Sequence, residues 1–239
     1  MKSDYQINMI YKISSSIGLS ALILATTLGS FVMFEPAVSF AVANATSQFT
    51  VKQVINTEIS FLTPGSNIVL APSLGGITGG DATGTVQVVV LTNNRTGYNM
   101  TIMASSSGNM VGEASSTNKI GAYTPAVGGT PDFNFTVAAN GAEFGFTAAA
   151  STTADLALAF QQNGSSCGIA GSNSSLAHCW MNATSTTPGT QVINTSGPTS
   201  YSGSTTTLAF HVKIMPNPLP AIPNDTYTAT TTLTASVNP

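Results

Sequence analysis

The side chains best suited to covalent or acid–base chemistry are few. They are two cysteines, Cys167 and Cys179, and two histidines, His178 and His211, in 239 residues. The cysteines bracket "GIAGSNSSLAH". In an exported chain such a pair forms a disulfide, and closing a loop of this size is worth about 3 kcal/mol in chain-entropy terms. The C-x-x-C spacing that would depress a thiol pKa is missing. His178 falls inside the loop, and His211 falls on the polar face of an alternating stretch, between Phe210 and Val212. Both are read as solvated. Serine is abundant, yet the G-x-S-x-G elbow of a serine hydrolase does not occur. A zinc site needs more His or Cys than a bonded pair leaves over.

The carboxylates Glu58, Asp81, Glu113, Asp132, Glu143, Asp155 and Asp225 stand singly along the chain. No calcium loop and no pair of acids suited to glycoside hydrolysis is apparent. The glycine-rich "GGITGGDATG" (75–84) lacks the Gly-Lys-Ser/Thr ending of a phosphate loop and is read as a crossing between strands. These absences predict a protein without catalytic, cofactor-binding or metal-ligating residues. Trp180, directly after Cys179, is the single tryptophan. Two readings of it stand: an indole packed against the disulfide, or an aromatic platform for a glycan.

Only 6% of the residues are charged and the net charge is −3. Ordinary soluble domains are about one quarter charged, so Ser, Thr, Asn and Gly must keep this surface wet. Beyond the N-terminal stretch the cations are Lys52, Arg95, Lys119 and Lys213, scattered, which argues against nucleic acid as a partner.

The N-terminal stretch resembles an export signal. Lys2 and Lys12 precede the apolar run "IGLSALILATTLGSFVMF" (17–34), and small-x-small sites end at Ala43 and Ala45. Residues 1–45 are therefore assigned as a signal peptide, with Met9 as an alternative start and an uncleaved anchor as the rival reading. The mature chain is expected to be secreted or held at the cell surface.

Residues 46–239 read as one domain of strand after strand. Alternation marks 48–55, 58–62, 68–71, 85–92, 98–104, 133–148, 205–214 and 226–237. The 85–92 and 98–104 segments are expected to form a hairpin through "NNRTG". Asn140-Gly141 should turn a second hairpin, between Phe133–Val137 and Phe144–Ala148. The segment 151–163 is predicted to be a short helix, part of an insertion at 151–180 that includes the Cys loop. The fold class is thus all-β: a single antiparallel β-sandwich, immunoglobulin-like or jelly-roll, with one short helix and a disulfide-closed loop. Eight Asn-x-Ser/Thr sequons follow residue 45, and Asn134 among them is expected in a paired strand.

Two segments, "VVVLTNNRTGYNMTI" and "AIPNDTYTATTTLTASVNP", resemble secreted prokaryotic cell-surface β-sandwiches. The ending is similar to the closing strand of spore-coat-U-like and chaperone–usher pilin domains, and to that of WxL surface domains. Thr231 and Leu233 stand where the Trp-x-Leu of the last family would be, so its cell-wall binding does not carry over. The resemblance implies a non-catalytic surface protein. Within that class, the alternation of Phe49, Val51 and Ile55 near the mature N-terminus predicts a strand that could pair with an open sheet edge of another copy or another surface protein. The alternatives are an adhesin or carbohydrate-binding module centred on Trp180 and, as a minor one, an extracellular hydrolase.

Overall fold

The computed structural model of the protein describes residues 46–171 and 173–239. The segment expected to be an export signal, with the alternative start at Met9 and the cleavage positions expected at Ala43 and Ala45, lies outside them. Both sheets belong to the compact unit Ile55–Pro239.

The organising element follows from the sequence "STTTLAFHVKI". Successive side chains of a strand point to opposite faces, so Leu208, Phe210, Val212 and Ile214 share one face and Ala209, His211 and Lys213 the other. The strand β8 (Ser204–Ile214) has this division, with the first set all buried at 5% exposure or less. Both its edges are paired antiparallel. On one side lies β2 (Gly80–Thr92), in register from Gly80 opposite Ile214 to Val90 opposite Ser204. On the other lies β6 (Ala142–Ala150), from Ala142 opposite Ile214 to Ala150 opposite Thr206.

The large sheet continues outward on both sides. Beyond β2 comes β1 (Ile59–Thr63), and beyond β6 come β5 (Lys119–Ala122), β4 (Met110–Gly112) and β9 (Tyr227–Thr228), giving seven strands in the order β1-β2-β8-β6-β5-β4-β9. The β5–β6 contact is parallel; the other strand pairings in the described residues are antiparallel. A second sheet of three strands has the order β10-β3-β7, from β10 (Thr231–Val237), β3 (Tyr98–Ala104) and β7 (Thr190–Asn194). Its Tyr98, Met100 and Ile102 meet Val88, Val90, Phe146 and Leu208 in one core, all nearly inaccessible. The chain is all-β, with two sheets in a sandwich-like arrangement.

Several local expectations give way to long-range pairing. Strands β2 and β3 do not form a hairpin: "NNRTG" carries the chain from one sheet to the other. Asn94 Nδ2 there donates to Gly97 O (2.6 Å) and to Asn238 O (2.8 Å), pinning the crossing to the chain's end. Around Asn140 the backbone turns as expected, with φ of 62° and a Gly141 N–H bond to Ala138 O. The preceding arm 133–137 forms no strand beside β6, however, and Asn134 is exposed in irregular chain. Part of "GGITGGDATG" belongs to β2 itself, and the turn before it needs Gly79. That residue has φ of +72°, and a Cβ there would lie 2.2 Å from Ile214 O.

In place of an α-helix over 151–163 the chain makes two 3₁₀ turns, Thr153–Asp155 and Leu158–Phe160. Between them Ala157 donates its N–H to Val192 O (2.9 Å), and Leu156 bridges Ile193. Burial of Leu156 and Ala157 beside β7, and of Phe160 against Phe146 of β6, overrides the local helical signal. Residues 46–58 form no strand, so the paired segment expected at 48–55 is absent as such.

Cys167 and Cys179 are disulfide-bonded, with Cα atoms 5.6 Å apart and both residues buried in the main core. The bond ties an irregular, polar loop to the sheet. Replacing both cysteines with alanine should lower unfolding stability by about 3 kcal/mol, measured by urea denaturation. Thiol titration of the native protein should find no free sulfhydryl.

Candidate functional site

The Cys loop lies over the outer face of the large sheet, where Trp180 and Met181 run beside β6. Phe146 and Met181 exchange backbone hydrogen bonds, as do Asp132 and Trp180. Trp180 is 4% exposed, and its Nε1–H donates to Ala177 O (3.0 Å). The glycan platform expected at Trp180 is therefore not presented: the ring faces Phe135 edge-on, with centroids 5.3 Å apart. Tyr123 stacks on Phe135 and donates its hydroxyl to Asp132 Oδ2 (2.7 Å). Burial, and that bond to the acceptor, push the Tyr123 phenol above its ordinary value. His178 stacks on Phe133 and donates Nδ1–H to its carbonyl (3.1 Å). The irregular arm 133–137 thus makes a small aromatic core outside the sheet.

Beside this core the β2, β8 and β6 strands bring polar side chains together that lie far apart in sequence. Lys213 stands opposite Asp81 on one neighbour and Glu143 on the other. His211 Nε2–H donates to Asp81 Oδ1 (2.9 Å), and Lys213 Nζ lies 3.3 Å from the same oxygen. An aspartate on a histidine nitrogen can orient a general base. Here the imidazole is packed against Phe135 (centroids 4.2 Å) and Trp180 (5.2 Å), and among the described residues no serine is bonded to it. His211 was expected to be solvated; its side chain is only 14% exposed. Burial lowers its pKa, outweighing the opposing pull of Asp81. The periodicity placed it on the outer face, but the covering arm was invisible to a local reading.

On the other side of the large sheet the sandwich is open along one flank. Strand β1 pairs with β2 at Val89–Thr92, and Ala71 bridges Thr83; between them, among the described residues, Gly84–Val88 has no backbone partner on that edge. The connecting segment 64–70 runs along this flank without pairing to the edge, Ile68 and Leu70 packing beside Gly84. Across the gap, the chain leaves β9 at Thr228 and enters β10, whose outer edge has no paired strand among the described residues. Asp225 fixes the start of that crossing by accepting from Ala114 N (3.0 Å), Thr226 N (2.8 Å) and Asn118 Nδ2 (3.2 Å). These bonds, that from Ala114 foremost, hold its carboxyl below the usual range.

The result is a groove of about 810 Å³ with Val86, Leu208, Phe210 and Phe144 on its floor and Phe61 and Leu233 at its walls. Gly84 keeps one end shallow, since Leu70 and Ile68 pack where its side chain would be. The groove therefore offers two things at once: apolar floor positions and backbone edges in need of partners. Phe49, Val51 and Ile55, expected in a strand, are instead 84%, 84% and 82% exposed.

No protein-family model matches the sequence, and no match to a curated protein is found. The buried disulfide fits an oxidising, extracellular type of location. Among the described residues no helix is long and apolar enough to cross a membrane.

The pH response follows from His211. An unfolded histidine takes its proton near pH 6.5, whereas the folded ring resists protonation, so the unfolded state binds more protons as pH falls through that value. Stability is then lost on acidification through the histidine range. Glu143 and Asp155, raised by burial, act in the opposite sense at lower pH. The thermal midpoint should fall between about pH 8 and about pH 6, and His211→Gln should flatten that slope while lowering the midpoint at pH 8.

Proposed function

We propose that this chain is an exported, non-catalytic building block of the cell surface that associates with further copies of itself by strand addition. The observation that carries the proposal is the open flank of the sandwich: an apolar groove bordered by the free edges of β2 and β10. The occupant is residues 46–55 of a second copy. Apolar groups as large as Phe49, Val51 and Ile55 at more than 80% exposure within one short stretch are a feature of interaction sites rather than of free surface.

The pairing is chemically complementary. Phe49, Val51 and Ile55 fall on one face of an extended segment, with Gln53 among them, while Thr50 and Lys52 fall on the other. A strand laid along Gly84–Val88 satisfies the open backbone groups there and turns its apolar face to Val86, Leu208 and Phe210. Each large side chain so buried is worth about 1.5–3 kcal/mol. Together they can offset the cost of ordering ten residues only if the backbone bonds form as well. Solubility without charge, a disulfide staple and an export signal suit a protein that works outside the cell.

The test is the oligomeric state of residues 46–239 against residues 56–239 by analytical ultracentrifugation. The longer chain should associate with rising concentration, and the shorter should stay monomeric with an unchanged unfolding midpoint. Phe49→Ala should weaken association by roughly tenfold or more. A 46–239 chain that stays monomeric at millimolar concentration, or a 56–239 chain that fails to fold, overturns the proposal.

A further inference from the structure

At one end of the sandwich the interior turns from apolar to hydroxylic. Tyr98 begins β3, and Ser204 and Thr206 begin β8 on its inner face. All three are at least 91% buried, and among the described residues their hydroxyls, Tyr98 OH, Ser204 Oγ and Thr206 Oγ1, complete no well-formed hydrogen bond. Three buried polar atoms without partners at one place are unfavourable unless something else meets them. Burial keeps the Tyr98 phenol above its ordinary value, the neighbouring Ser204 hydroxyl opposing the shift and the Asp155 charge adding to it.

Beside Ser204, the one of the three that reaches its lining, a depression of about 460 Å³ opens. Its rim comes from the 3₁₀ turn at Thr153–Asp155 and from the β7–β8 loop. The loop is held in place: Thr92 N donates to Thr199 Oγ1 (3.0 Å), Thr199 N to Thr92 O (3.1 Å), and Tyr98 N to Thr195 Oγ1 (2.8 Å). Ser200 and Ser202 hydroxyls lie 2.8 Å apart on the rim. The one ionisable group in the lining is Asp155, and among the described residues its carboxylate has neither a hydrogen-bonded nor a cationic partner.

From this geometry we infer a binding site for a neutral sugar residue, with the Asp155 carboxylate as the principal acceptor and the surrounding Ser and Thr hydroxyls as adaptable partners. The volume lies within the range of about 300–1,000 Å³ common for small-ligand pockets. A ligand carrying many hydroxyls can donate to a carboxylate and accept from Ser and Thr simultaneously. An anionic ligand is disfavoured, because the single charge in the lining is negative and no cation offsets it. A purely apolar ligand would leave Asp155 and the hydroxyls desolvated and unpaired. This site lies in a different part of the molecule from the groove, and its test is independent of self-association.

The experiment is an amide-resolved NMR titration of residues 46–239 with glucose, galactose, N-acetylglucosamine and, as the charged comparison, glucuronate. Binding of at least one neutral sugar is expected to shift amides in 151–155 and 195–205 and not those of 46–55 or 84–88. Asp155→Ala should weaken that binding by roughly tenfold, the scale of a lost charge-assisted hydrogen bond. Ser204→Ala, which removes an inner hydroxyl without touching the rim, should weaken it less. The thermal midpoint of each variant shows whether the fold is retained. No shift with any neutral sugar at 50 mM, equal binding of glucuronate, or wild-type affinity in folded Asp155→Ala would each overturn the inference.

Discussion

The pleat of β8 is the constraint on which the rest of the molecule depends. Paired along both edges, the strand is fixed in register by β2 and β6 together, and its two faces are assigned different tasks. Leu208, Phe210, Val212 and Ile214 close the core from one side. His211 and Lys213 place two of the protein's few charged and titratable groups on the other. A slip of one residue would exchange these sets, placing an imidazole and an ammonium in the core and four large apolar groups in water. Since each apolar side chain is worth about 1.5–3 kcal/mol, that alternative costs an amount comparable to the whole margin of a typical domain, about 5–15 kcal/mol.

The same strand links the features with functional meaning. Its middle, at Leu208 and Phe210, is the floor of the open groove. Its first residues, Ser204 and Thr206, supply unpartnered hydroxyls at the hydroxylic end of the sandwich. Its outer face carries the aromatic cover that includes Phe135 and Trp180. A rigid, doubly paired strand thus positions a groove, a polar depression and a second small core, while irregular segments supply their rims. Hydroxyls and amides rather than ions supply most of the surface polarity, and the ion pair at Asp81 is a local exception. At 49% side-chain exposure for Asp81, that pair contributes little to stability.

Much of the architecture was legible in the chain. The alternation in 204–214 and 98–104 gave strands and the correct inward faces, because side-chain direction in a strand is a local, period-two property. The Cys167–Cys179 bond followed from there being two cysteines. The helical reading of 151–163 did not survive, since Ala157 found its hydrogen-bond partner on β7 instead of within its own segment. Trp180 could have been platform or packing on sequence grounds; its burial came from an arm, 133–137, recruited from elsewhere in the chain. The groove had no local signal of its own. It arises where segment 64–70 leaves β2 unpaired, and only the arrangement of several strands reveals such a gap.

By itself, then, the sequence determined that the chain is built of strands, which faces of 98–104 and 205–214 are apolar, and that its polarity rests on hydroxyls and amides rather than ions. Tertiary structure decided which strand lies beside which: that β2 joins β8 across more than a hundred residues, that β2 and β3 belong to different sheets, and that Asp155 and Ser204 line one depression. The physical reason is the range of the forces involved. Conformational preference and side-chain alternation act between near neighbours in the chain, whereas backbone pairing and burial reward any segment that arrives with the right edge and face. Several segments here carry nearly the same alternation, so only their mutual packing could choose among them.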